Sequence, residues 1–177
     1  RDGLALISSR LGSDHAATKA ELEKLALLAG PGGSLNLATI SKALGDSAVL
    51  AVDDVADAVA NGHVSALSKA LRKAWREEAN CVMIIRRCQT YFYQLGMLGN
   101  AVLDGQSPQN AVRGLRPPVH FKLQDALIRH LKKWQPRRCT DMVNRLQDIE
   151  IIVKSKSIDD RTLTSQSLLG LCLRARR

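Results

Sequence analysis

The sequence predicts an all-α protein, and three observations carry that reading. Leu and Ala dominate the apolar residues, no Val/Ile/Thr-rich alternating run occurs, and apolar positions recur every three or four residues along most of the chain. Aromatics make up only 3%: Trp75, Trp134, Tyr91, Phe92, Tyr93 and Phe121. At 177 residues the chain has room for one or two domains with a sizeable core.

Each element follows in order. Leu4, Ile7 and Leu11 share a helical stripe that Gly12 stops, and Ser13 or Asp14 then offers an N-cap. Leu22, Leu25, Ala26 and Ala29 form a second stripe. A loop at Gly30-Pro31-Gly32-Gly33-Ser34 follows, after which Asn36 caps a helix carrying Leu37, Ile40 and Leu44 and ended by Gly45. Beyond it, the periodicity predicts helices over roughly 52–61 (ended by Gly62), 64–79, 81–103, 108–114, 121–134, 137–156 and 160–174. The longest stripe is Cys81, Ile84/Ile85, Cys88, Tyr91/Phe92, Leu95, Leu98 and Val102, which marks 81–103 as the central helix of a bundle. Pro108, Pro117-Pro118 and Pro136 fall between stripes, where a missing N–H starts or stops a helix without breaking one. A domain boundary is drawn at 45/46. Residues 1–45 carry five cations and four anions, whereas 46–177 carry 21 and 13, so the basic excess lies in the second part.

The net charge of +9 suggests an acidic partner, nucleic acid first. Cys81, Cys88, Cys139 and Cys172 form no CxxC pair, which reads as reduced thiols in a cytoplasmic protein; Cys81 and Cys88, two turns apart, belong to the core. No apolar stretch reaches the ~20 residues a membrane span needs. The chain begins at Arg1, so it is expected to be part of a longer protein. No G-x-x-x-x-G-K-[ST] phosphate loop and no Gly-x-Ser-x-Gly elbow occurs. His15, His63, His120 and His130 stand in no metal-ligand spacing and read as solvated or capping residues. Asp53, Asp54 and Asp57 are placed at a helix start, where the macrodipole favours them. No cofactor and no catalytic site are therefore expected.

The cations form two groups. Arg86 and Arg87 take the polar side of the 81–103 helix. Lys122, Arg129, Lys132 and Lys133 share a helix leading into Arg137 and Arg138. Arg129, Lys132 and Lys133 are spaced to share one face, as a phosphate-tracking surface requires, so Arg129, Lys132, Lys133, Arg137 and Arg138 are the candidate DNA-contacting face. The alternative is an ordinary solvated face, with Trp134 closing the core stripe Leu127, Leu131, Trp134.

Several stretches, taken together, resemble a known family. Arg10-Leu11-Gly12-Ser13-Asp14 and Glu21-Leu22-Glu23-Lys24-Leu25-Ala26-Leu27 are similar to its "LG-x-D … ELEKLAL" segment. Asp53 to Gly62 resembles its "D-A-x-x-x-G" stretch, Arg86 and Gln89 match an "LRALQRHF"-like helix, and Glu150 and Lys154 fit its penultimate helix. Arg116-Pro117-Pro118-Val119-His120-Phe121-Lys122 resembles the "RPPVFFK" segment of alphaproteobacterial members. The family is the delta subunit of the bacterial DNA polymerase III clamp loader, matched in order over essentially the whole chain.

The resemblance implies a small helical linking subdomain (1–45, AAA+ lid-like) followed by a helical-bundle collar domain (46–177). It implies assembly with delta-prime and gamma/tau-type loader subunits, with Arg86, Gln89 and Lys154 as candidate collar contacts. It also implies weak contact with primed DNA, and engagement of the sliding clamp through an N-terminal domain outside these residues. Polymerase activity would belong to the holoenzyme. Some relatives carry an aromatic just after the counterpart of Lys154; here the stretch reads Ser155-Lys156-Ser157. The rival readings are a free-standing basic helical nucleic-acid-binding module and a scaffold whose charge serves solubility.

Overall fold

The computed structural model describes residues 15–36, 39–40, 43, 46–115, 121–155 and 159–176, together with Gly3 and Ile7. Among them there is no strand, and eight helices are delimited: α1 (His15–Ala29), α2 (Asp46–Asn61), α3 (Val64–Arg76), α4 (Cys81–Leu103), α5 (Pro108–Arg113), α6 (Phe121–Leu131), α7 (Pro136–Ser155) and α8 (Asp160–Ala175). The class is all-α. The chain divides into two compact units, 1–49 and 50–177, with the division inside α2.

In the first unit the buried cluster among the described residues is small. Leu25 and Ile40 are buried, with Ile7, Leu35 and Ala43 packed against them. Leu22 and Ala26, expected on the buried stripe with Leu25, are exposed. Asn36 caps as expected: its Oδ1 accepts from the Thr39 amide at 2.8 Å. The stripe Leu4/Ile7/Leu11, apart from Ile7, lies outside the described residues.

The second unit is built on two long buried elements. In α2, Ala51, Val52, Val55, Ala56, Ala58, Val59 and Ala60 are all buried, so this Ala/Val-rich helix is sequestered on more of its circumference than α4. The 81–103 stripe is buried as expected from Cys81 to Leu98, with Val102 half-buried, and α4 keeps an outer line of Arg86, Thr90, Tyr93, Met97 and Asn100 in solvent. The most enclosed helix is thus the one with the smallest side chains, which let neighbours approach from several sides.

Helix α4 packs along α7, and glycines set their separation. A Cβ at Gly96 would meet Cys139 Cβ at 3.3 Å, and one at Gly99 would meet the Pro136 ring at 3.0 Å. Helix α6 ends at Leu131 rather than at 134, where the Lys132, Lys133 and Trp134 amides turn back onto Arg129 O and His130 O. A residue before proline avoids the helical region, and Gln135 lies in neither helix while its backbone oxygen accepts the Cys139 amide at 3.1 Å in the first turn of α7.

Three helices end in the same hydrogen-bonded motif. After α2, His63 N donates to Ala58 O and Gly62 N to Val59 O; after α3, Ala79 N donates to Ala74 O and Glu78 N to Trp75 O; after α4, Gln106 N donates to Ala101 O and Gly105 N to Val102 O. The residue at the turn has φ of 73° at Gly62, 97° at Gly105 and 57° at Glu78. Because glutamate gives no glycine-like stop signal, the sequence places the end of α3 at 79 instead of 76.

Candidate functional site

The carboxylates of α2 are a correction to the sequence reading. The helix begins at Asp46, so Asp53, Asp54 and Asp57 lie two turns or more inside it, out of reach of first-turn amides. Each is instead matched to a neighbour. Asp53, itself buried, pairs with Arg87 of α4, and Asp54 pairs with Lys73 of α3 at 2.8 Å. Asp57 turns towards α6.

There it joins a chain of polar side chains. Asn61 Nδ2 donates to the Asp57 backbone oxygen at 2.9 Å and to Asp57 Oδ2 at 3.0 Å. A backbone carbonyl only accepts, so this contact fixes the amide orientation and leaves Asn61 Oδ1 as the acceptor for His130 Nε2 at 2.9 Å. The imidazole proton therefore sits on Nε2, and the bare Nδ1 accepts from the Tyr91 hydroxyl at 2.6 Å. His130 is 1% exposed, and burial, reinforced by Arg129 and Lys133, lowers its pKa to about 4. The same burial pushes the Tyr91 hydroxyl well above its usual range, and desolvation raises Asp57. His130 is thus a neutral core residue, against the expectation of a solvated histidine. Its place three residues after Leu127 and four before Trp134, on the buried stripe, was the signal available in the sequence.

The candidate basic face is divided by the turn after α6. Arg129 closes the helix, Lys132 and Lys133 lie in the turn, and Arg137 and Arg138 begin α7, so the face is not one helical surface. Lys133 Nζ donates to Asn61 O at 2.9 Å, and the Arg138 guanidinium lies 5.0 Å from the Trp134 ring centroid. Trp134 is core, edge-on to Phe92 at 4.8 Å with its Nε1 donating to Ala60 O at 2.9 Å. Lys132 and Arg137 are exposed. The Lys122 side chain and the 116–120 segment lie outside the described residues.

Arg86, Gln89 and Lys154 are brought together on one group. Arg86 Nε donates to Glu150 Oε1 at 2.9 Å, Gln89 Nε2 donates to Glu150 Oε2 at 2.9 Å, and Lys154 reaches Oε1 one turn along α7. With the Lys154 hydrogen bond as the largest cause, followed by that of Gln89, the Glu150 carboxyl is held down to about 2. These side chains clasp α4 to α7. A cleft of about 810 Å³ adjoins them, where Arg86, Lys154 and Arg161 face Glu78, Asp159 and Asp160. Its charges balance, so it offers no strong preference for a charged ligand.

All four cysteines are buried and unpaired, and burial pushes Cys88 and Cys139 up to about 12, so neither supplies a thiolate at neutral pH. Among the described residues, no group of three His, Cys, Asp or Glu side chains is placed to hold a metal ion, and no helix is long and apolar enough to cross a membrane. The features define an all-helical basic protein with cationic surface groups and a hydrogen-bonded polar chain running through buried His130. No protein-family model, curated protein or solved structure matches this chain.

Proposed function

We propose that this chain is the C-terminal part of a DNA polymerase III delta subunit, a cytoplasmic replication protein that assembles with the other clamp-loader subunits so that the sliding clamp can be loaded on primed DNA. The observation that carries the reading is the order of the resembling segments along the whole chain, from Arg10-Leu11-Gly12 to Glu150 and Lys154. An all-helical chain with a small first unit and a larger second one is compatible with it. On this reading the chain is not itself an enzyme; it offers helix faces to delta-prime and gamma/tau-type subunits, and the clamp is gripped by a domain outside these residues. Size-exclusion chromatography with those subunits tests it: a stable stoichiometric complex is expected, and separate elution of every component overturns it.

A second reading, the free-standing nucleic-acid module, draws on exposed Lys132 and Arg137 and on the +9 charge. It requires tight DNA binding by the chain alone at physiological salt. Replacing Lys132 and Lys133 by Gln would then flatten the log K against log salt slope by up to about two units. Coincident slopes for wild type and variant would leave both lysines to solvent or to protein neighbours.

A further inference from the structure

A second cavity, of about 420 Å³, is lined by Asn61, Gly62, His63, Val64, Ser65, Lys133 and Arg176, with no acidic residue among them. It differs from the larger cleft in being cationic. Lys133 comes from the turn after α6 and Arg176 from the end of α8, segments distant in sequence that converge on the turn between α2 and α3. We propose that this cavity is a binding site for a phosphate group.

The site is built rather than incidental. Lys133 is anchored through one donor to Asn61 O, and an ammonium carries three, so its remaining protons stay free for an anion. Asn61 is itself held by Asp57 and by buried His130, so the lysine is anchored to a residue fixed by two side-chain partners. Gly62 brings Arg176 in: its φ is 73°, and a Cβ there would lie 2.8 Å from Arg176 Cγ and 3.0 Å from Arg176 N. Only glycine lets the end of α8 approach the turn so closely. A guanidinium fork matches phosphate oxygens in pairs, which a point charge does not. Val64 and Ser65 open α3, whose N-cap His63 makes no side-chain capping bond, so first-turn amides remain to supplement the two cations. Asp57, a turn earlier in α2, does not line the cavity. A phosphate of a nucleic-acid backbone and a free phosphate share this chemistry, and the site does not depend on the clamp-loader reading.

The test is a titration of the ¹⁵N-labelled 177-residue chain with inorganic phosphate, followed at the Val64 and Ser65 amides. A saturable shift is expected, weakened at least about tenfold by Arg176→Gln and by Lys133→Gln, each checked for an unchanged melting transition. Arg72→Gln, which removes an equal charge from α3 outside the cavity, should leave the affinity within about twofold of wild type. Shifts that grow linearly without saturating, or equal weakening by Arg72→Gln and Arg176→Gln, would overturn the proposal in favour of diffuse charge. A single-stranded oligonucleotide then separates the sources. Perturbation of the same amides in competition with phosphate assigns a backbone phosphate, and silence at those amides assigns a free one.

Discussion

At the contact of α2 with α6, buried Tyr91 and His130 continue into half-buried Asn61 and Asp57, and the titratable groups settle into neutral or reluctantly charged forms. At the contact of α4 with α7, the half-buried Glu150 carboxylate and the exposed Arg86 and Lys154 keep full charges, with the neutral Gln89 amide beside them. Both join helices far apart in sequence, and both use hydrogen bonds of ordinary length: 2.6 to 3.0 Å through Tyr91, His130, Asn61 and Asp57, and 2.9 Å from Arg86 and from Gln89 to Glu150. What separates them is water. Burial penalises each charge, so His130 falls to about 4, Asp57 rises, and the tautomer is set by the Asn61 amide. Around Glu150, hydrogen bonds from Lys154, Gln89 and Arg86 outweigh the desolvation of the carboxylate, so it falls to about 2. A buried chain is costly to interrupt because the groups left behind cannot turn to water; a cluster with exposed members can be rehydrated.

The largest expected effect comes from interrupting the interior chain. His130→Ala leaves a cavity and strands Tyr91 Oη and Asn61 Oδ1, and should destabilise by about 3 to 5 kcal/mol in urea unfolding. Glu150→Gln should cost under about 1 kcal/mol in the same assay. Equal losses would abolish the distinction drawn between the two clusters.

Titration sharpens the contrast by separating the pH windows. The His130 pKa is lower in the folded chain than in the unfolded one, about 4 against 6.5, so the unfolded chain binds more protons between those values. Stability is therefore full above pH 6.5 and declines as pH falls towards 4, by up to about 3 kcal/mol. Asp57 acts in the opposite sense, since a raised carboxyl pKa favours the folded state as pH falls through its range. Glu150 contributes above pH 4.5 and loses its contribution as pH falls towards 2. Unfolding midpoints measured from pH 8 to 3 should show the upper slope vanish in His130→Gln and persist in Glu150→Gln.

A more local effect concerns the helix ends that frame these contacts. Glu78 occupies the left-handed position that glycine holds after α2 and α4, so Glu78→Gly should stabilise by up to about 1 kcal/mol. Gly62→Ala, at the matching position, should destabilise by more than about 1 kcal/mol, because the new Cβ also meets Arg176. Thermal melts of both variants check the pair.

Periodicity alone determined the helical class, the full extent of α4 and the burial of its stripe, because a 3.6-residue repeat is a local property that packing reads out directly. Gly62 and Asn36 were legible for the same reason: a left-handed cap and a side-chain cap involve only residues within one turn. The tertiary structure decided the rest. Nothing local distinguishes a start at Asp46 from one at Val52, yet that difference moved Asp53, Asp54 and Asp57 from a helix start to three ion-paired or hydrogen-bonded positions facing other helices. Likewise the contacts of Arg86, Gln89 and Lys154 with Glu150 were not legible, and the divided basic face was read as continuous, because Glu150 and the turn before Pro136 act through space. Arg176 carried no signal at all. A cation acquires a cavity only when distant segments converge on it, and its partners here lie more than forty residues away along the chain.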